Sequence, residues 1–458
     1  MFRRLAAIIP LALLVAVDAQ QRGTVHPEVH PSLPIQKCTG SGSYATCTTV
    51  NTMIALDANW RWLHSTDSNT NCYDNYWDAT LCPDGKTCAD NCALEGADYA
   101  NTYGITTSGD ALTLNLVTGS NVGSRVYLLA NDTRYYMFKL KNQEMSFDID
   151  LSAVGCGLDA SVYLVQMDED GGTSKHPSNK AGAMYGTGYC DAQCPSSKFI
   201  NGEVRLVTLS NHRIIYLTSP LQANTSSDST AQHGSCCTEV DLIEANSQAM
   251  ATTLHPCTVP GQYRCTGTEC GSSICDMGGC DFNPWRTGDQ NFFGTGKTID
   301  TSKKVTVITQ FLTSDNTAYG DLIEVRRLWV QDGVVYKNSN AKLHGLTGNS
   351  LTDKFCKAES KLFGGENTFK AHGGMSKVGD AIDDGLVLTF SIWSDVTSHL
   401  LWLDSNYPVD VDPTKPGISR GPCSTDSGNP EDILKEQPNT AVTFSNIKIG
   451  DIGSTYSS

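Results

Sequence analysis

Apolar residues recur at every second position along much of this chain, and that period decides what it can fold into. In MSFDIDLS, Met145, Phe147, Ile149 and Leu151 fall on one face of an extended segment, with Ser146, Asp148, Asp150 and Ser152 on the other. LTLNL (112–116) and VTVITQF (305–311) repeat the pattern. LVLTFSIW (386–393) keeps Leu386, Leu388, Phe390 and Ile392 together but puts Trp393 on the polar face with Thr389 and Ser391. A strand with one apolar face buries it against another sheet, so the expectation is all-β: two large antiparallel sheets packed as a sandwich. Long amphipathic helical windows are scarce, and a short helix is expected only near Val378 to Asp384. The 41 glycines and the charged fraction of 18% fit strands and turns. There is no internal repeat, and no Pro/Ser/Thr-rich linker leads to a small cysteine-rich module. Residues 20–458 are therefore read as one domain.

Residues 1–19 have the form of a secretory signal: Arg3 and Arg4, an apolar run from Leu5 to Val17, then Ala19 at the cleavage point. No later run approaches the ~20 continuous apolar residues of a membrane span. In a secreted chain the 18 cysteines read as disulfides. The alternative is metal, since Cys88-x3-Cys92 and Cys190-x3-Cys194 have ligand-like spacing, but no histidine lies near either pair in sequence. Asn131-Asp-Thr and Asn224-Thr-Ser are glycosylation acceptor sequences. The formal charge of −16, without a basic run, argues against nucleic acid and anionic membranes as partners and favours a neutral polymer.

CCTEVDLIEAN (236–246) places three carboxylates in an apolar run. Read as a strand, Glu239 and Asp241 share a face and Val240 and Leu242 point to the core. Glu244, five positions after Glu239, would face the wrong way unless one bulge lies between Asp241 and Glu244. Paired carboxylates bracketing a bond are what glycoside hydrolysis needs, and close negative charges keep one of them protonated. A solvated acidic edge and a calcium site are the other readings of that spacing. The aromatics favour sugar. ANWRW read as a strand puts Trp60 and Trp62 on one face with Arg61 opposite, Trp393 lies on a polar face, and Trp402 follows in HLLWLDS. Indole faces stack on the apolar faces of glucose; core packing is the better reading of any one tryptophan alone, and it is four of them beside an acidic triad that favour a sugar groove.

These segments together resemble glycoside hydrolase family 7, the fungal-type cellobiohydrolases and endoglucanases. The likeness runs from about Pro34 to Gly453, through DANWRW (57–62), NCYD (71–74), TLCPDGKTCADNC (80–92), DEDGG (168–172), YGTGYCDAQCPSSKFING (185–202), GSCCTEVDLIEAN (234–246), HPC (255–257), CDFNPWR (280–286), LLWLDSNYP (400–408) and FSNIKIGDIGS (444–454). It implies a concanavalin-like β-jelly roll with long loops over a substrate groove or tunnel, and retaining cleavage of β-1,4-glucan. It implies Glu239 as nucleophile, Glu244 as acid/base, Asp241 as the nucleophile's partner, and His255 as an active-site residue. Tyr163, Tyr189, Asp191 and Gln193 match substrate-contacting positions near the cleavage point. Trp60, Trp62, Trp393 and Trp402 match tryptophan platforms, and Arg286 and Arg420 match groove arginines, Arg420 on the leaving-product side. The implied disulfides are Cys38–Cys47, Cys72–Cys92, Cys82–Cys88, Cys156–Cys423, Cys190–Cys237, Cys194–Cys236, Cys257–Cys275, Cys265–Cys270 and Cys280–Cys356. No metal or cofactor is implied, and a secreted monomer acting on cellulose chains and cello-oligosaccharides is expected.

The length of the loops bears on where such an enzyme cuts. The long stretches 364–384 and 406–423, which endoglucanases of the family shorten, favour a processive cellobiohydrolase. Other features point to a tunnel open at one place, with weaker product binding and more endo-initiation: only GSSI separates Cys270 from Cys275, Asp276-Met277-Gly278-Gly279 lacks a second acid, and Ile243 stands where most cellobiohydrolases carry Trp. A non-catalytic lectin-like sandwich would need no acid triad. The segment 203–222 fits no family pattern. It reads either as a loop beside the groove or as translated intron or misread frame, and Leu-Val and Ile-Ile-Tyr favour the second because they suit an exposed loop poorly.

Overall fold

The computed structural model describes residues 20–74, 76–204 and 233–457. Two large sheets face each other. The ten-stranded sheet follows Val334–Lys337, Leu322–Gln331, Val305–Thr313, Gln143–Asp150, Ala441–Asp451, Ala111–Asn115 and Ile105–Ser108 along its main path. The nine-stranded sheet follows Arg134–Tyr135, Ser124–Asn131, Leu386–Trp393, Asp159–Val165, Glu239–Ala245, Met250–His255 and Cys280–Phe282. Every neighbouring pair on both paths is antiparallel. Ile35–Thr39 joins the larger sheet by a parallel contact with Ala441–Asp451.

The alternating residues meet between the sheets. Met145, Phe147, Ile149 and Leu151 from one sheet share a core with Leu386, Leu388, Phe390 and Ile392 from the other. Phe390 and Phe444 touch across the interface with ring centroids 5.2 Å apart. Burying a side chain of this size contributes about 1.5–3 kcal/mol, so the two-residue period holds the sheets together. It also leaves the polar face of the nine-stranded sheet turned outward, and that face carries the cleft.

Helices cover one side of the cleft. Asp353–Leu362 starts at Thr352, whose hydroxyl oxygen accepts from the Phe355 amide, and it buries Phe355, Cys356 and Glu359. Thr368–Ala371 and Gly374–Asp384 follow, the latter covering the expected position of a short helix. Nine disulfides close in the pairs Cys38–Cys47, Cys72–Cys92, Cys82–Cys88, Cys156–Cys423, Cys190–Cys237, Cys194–Cys236, Cys257–Cys275, Cys265–Cys270 and Cys280–Cys356. Cys156–Cys423 ties the entry to strand Asp159–Val165 to the 406–423 segment across 267 residues of sequence.

The strand reading of ANWRW is corrected. Residues 58–60 form a turn between strands Met53–Leu56 and Leu63–Ser65. Arg61 is buried on this turn, paired with Glu28 at 2.5 Å and donating to the Leu56 and Glu95 carbonyls. That ion pair turns the arginine inward, so side chains here do not alternate about a sheet plane. Of the segment 203–222, Glu203 and Val204 pair with Phe199 and Ile200, and its remainder lies outside the described residues. The leader at 1–19 and Asn224 also lie outside them. Asn131 is exposed at a strand end, where its Oδ1 accepts from the Thr133 amide and hydroxyl at 3.0 Å each.

Candidate active site

The site is built on one irregularity in strand Glu239–Ala245. Against Asp159–Val165, Tyr163 pairs with Asp241 and Val162 with Ile243, so Leu242 is skipped. Against Met250–His255, Asp241 pairs with Thr253 and Glu244 with Ala251, leaving only Thr252 opposite Leu242 and Ile243. One extra residue therefore sits between Asp241 and Glu244. It sends Leu242 and Ile243 into the core with Val240 and turns Glu239, Asp241 and Glu244 toward the same cleft.

His255 closes this group. Its Nε2 lies 3.1 Å from Asp241 Oδ2 and its Nδ1 2.8 Å from the Asp276 carbonyl. Both ring nitrogens face acceptors, so both carry hydrogen and the ring is a cation. Burial alone would lower its pKa, but the hydrogen bond and charge of Asp241, with the charge of Glu239, raise it to about 10. Glu239, Asp241 and His255 offer atoms within 4.8 Å of one another, close enough to surround a metal. The remaining clusters of that kind among the described residues draw on disulfide sulfurs.

The two glutamates are electrostatically unequal. Glu239 is pushed well above the usual carboxylate range, first by burial and then by Asp241 and Asp191. The His255 cation and the Ala192 amide, which donates to Oε2 at 3.1 Å, pull it back. Glu244 is pushed up by burial, Asp241, Asp159 and Glu239, and the opposing hydrogen bond is a hydroxyl, that of Thr253 at 3.4 Å. A cation and an amide oppose the upward push on Glu239, whereas one long hydroxyl contact opposes it on Glu244.

Beside Glu239, Tyr163 and Tyr189 share a hydrogen bond at 3.0 Å, and Tyr189 donates to Asp191 at 2.6 Å. The Gln193 amide donates to Asp191, while its side chain donates to the Met277 carbonyl at 2.8 Å. At the other end Arg286 pairs with Asp281, lies 3.9 Å from Glu359, donates to the Gly417 carbonyl at 3.0 Å and covers the Phe363 ring at 4.3 Å. Arg420 and Tyr407 line the same end. Trp393 and Trp402 also line the cleft, which encloses about 630 Å³. Tyr163, Tyr189, Asp191, Gln193, Arg286, Trp393, Trp402 and Arg420 are thus gathered around the three acids and His255.

Trp60 and Trp62 are not part of that lining. Trp60 packs against the core, donates to the Val122 carbonyl at 3.4 Å and lies under Arg125 at 5.4 Å. Trp62 donates to Asn71 at 2.7 Å and lies beside the His64 ring. Arg125 in turn stacks on Tyr189 at 3.3 Å, so Trp60 is linked to the cleft through one side chain. Sequence reasoning missed Asp159, Asp281 and Glu359. Asp159 takes the Trp393 indole N–H at 3.0 Å and the Ala245 amide at 2.8 Å. Only the pairing of its strand with Glu239–Ala245 brings it there, and the sequence does not show that pairing. Nothing in the sequence separates Glu359 from a solvated helical acid.

The model of the glycosyl hydrolase family 7 matches residues 22–456. A family 7 cellobiohydrolase from Daphnia pulex is 43% identical, aligned over 95% of this chain and 100% of its own, with a TM-score of 0.89. The cellobiohydrolase from Melanocarpus albomyces, solved with cellotetraose, is 40% identical over 95% and 99%, with a TM-score of 0.84. The Humicola insolens endocellulase is 34% identical over 95% and 100%, with a TM-score of 0.79. With its sandwich, its outward cleft and its three carboxylates across a bulge, this chain belongs to glycosyl hydrolase family 7.

Proposed function

We propose that the protein is a secreted cellulase that cuts β-1,4-glucosidic bonds with retention and releases mainly cellobiose from chain ends. The observation that carries this is the bulge that turns Glu239 and Glu244 toward one cleft. Glu239, beside the His255 cation and the Ala192 amide, attacks the anomeric carbon. Glu244, with one long hydroxyl contact, protonates the departing oxygen and then draws a proton from water to release the glycosyl-enzyme. Asp241, held by His255, fixes the nucleophile's surroundings. Trp393 and Trp402, which line the cleft, stack on sugar rings. Cellobiohydrolases and an endocellulase are among the similar structures, so the family likeness alone leaves the mode of attack open.

Chain-end action is favoured by the way the two long segments meet. Phe363, at the head of 364–384, and Gly417, within 406–423, are both held by Arg286, which walls one end of the cleft from two sides. The endo-acting reading draws on the 271–274 loop, pinned short by Cys265–Cys270 and Cys257–Cys275. Product analysis on crystalline cellulose separates them. The expected result is cellobiose as the main product, with a ratio of soluble to insoluble reducing ends below that of a fully enclosed cellobiohydrolase, because the short 271–274 loop leaves the roof open at one place. A fast fall in the viscosity of soluble cellulose with few soluble ends would establish the endoglucanase. Glu239→Gln is expected to abolish turnover while cellotetraose still binds, and an active variant would remove Glu239 from the nucleophile's role.

A further inference from the structure

Arg327 occupies a position that the two-residue period reserves for an apolar side chain. It lies on strand Leu322–Gln331 between Val325 and Trp329, both in the core, and is 3% exposed. Its cross-strand partner Thr309 is buried as well. No ion pair is formed by Arg327 among the described residues, and its Nε and Nη1 have no hydrogen-bond partner there. Burial pulls its pKa down to about 9, so it stays cationic at acidic and neutral pH. A buried cation without a counter-charge is costly and calls for a physical reason.

The reason lies across the sandwich. Nη2 of Arg327 donates to the carbonyl of Leu242 and, at 2.9 Å, to the hydroxyl of Thr252. That hydroxyl itself donates to the Leu242 carbonyl at 3.2 Å. Leu242 is the residue that the bulge adds, and it is skipped by the pairing with both neighbouring strands. A bulge leaves such a residue outside the ladder, and a buried carbonyl needs a donor. Arg327 and Thr252 supply two. If they were lost, the regular register would regain its advantage, and a shift of one residue would turn Glu244 toward the core.

We propose that Arg327, with Thr252, is a positioning residue for Glu244: reaching from the opposite sheet, it anchors the Leu242 bulge that keeps the acid/base in the cleft. The proposal rests on the role given to Glu244 above. Its test exploits leaving groups. A dinitrophenolate departs without protonation, whereas the sugar leaving cellotetraose needs the acid, and kcat/KM reports the first displacement. Because a positioned general acid contributes about 10²–10⁴-fold, Arg327→Met is expected to lower kcat/KM on cellotetraose at least about tenfold more than on dinitrophenyl cellobioside. Thr252→Val, a milder change of nearly equal shape, is expected to give a smaller loss with the same selectivity, and Arg327→Lys to recover part of it. The Thr252 variant keeps the test intact if Arg327→Met fails to fold. Equal losses on both substrates, or no loss on either, in the variants that fold would overturn the positioning role. A wild-type protein that hydrolyses neither substrate would instead refute the proposed function, so the two failures are distinct.

Discussion

Asp159→Asn tests how the cleft keeps a carboxylic acid protonated. Asp159 is buried behind Trp393, with Oδ2 accepting from the indole and from Ser161 and Oδ1 from the Ala245 amide. Burial, then the charge of Asp241 against those donors, raises its pKa to about 7. Ser161 pairs with Glu244, and Asp159 lies two positions along the same strand face. It is therefore a diagonal neighbour of Glu244, at about 7–8 Å. At an effective dielectric constant of about 20, two unit charges at that spacing interact by about 2 kcal/mol, or about 1.5 pKa units. Above pH ~7 the ionised Asp159 opposes ionisation of Glu244, so the acid keeps its proton to higher pH. Asparagine removes the charge, although its NH2 group must face the N–H of Trp393 or of Ala245, so the alkaline limb of kcat/KM on cellotetraose is expected to move down by up to about 1.5 units. At pH 5 Asp159 is already neutral, so any difference between variant and wild type there reports the displaced contacts to Trp393 and Ala245 and not the charge. An alkaline limb that stays in place, or that moves up, would refute the reasoning.

His255→Gln tests the opposite limb. The imidazolium helps hold Glu239 ionised, so its removal raises the pKa of this proposed nucleophile and the acidic limb of kcat/KM should move to higher pH. An unchanged acidic limb would show that the Ala192 amide suffices. Arg286→Met removes the side chain on which Phe363, Gly417, Asp281 and Glu359 converge. Inhibition by cellobiose should weaken, and the share of soluble reducing ends released from cellulose should fall. Unchanged inhibition would place product binding elsewhere.

The residues determined a good deal by themselves. Alternation in Met145–Leu151 and Leu386–Trp393 required facing sheets, because a period of two puts all apolar side chains on one side and only another sheet can cover them. The E-x-D-x-x-E spacing required a bulge, because five positions along a regular strand reverse the face. Tertiary structure decided what spacing cannot encode. Trp60 ends a turn and Trp62 lies just beyond it, outside any strand, with Arg61 between them drawn inward by Glu28, distant in sequence. Asp159, Asp281 and Glu359 reach the cleft or its floor only because neighbouring strands and a disulfide-tied helix bring them there. Arg327, which breaks the alternation of its own strand, gains its reason from a carbonyl on the opposite sheet. Local periodicity fixes which way a side chain points. What it meets there depends on the packing of segments far apart in the chain.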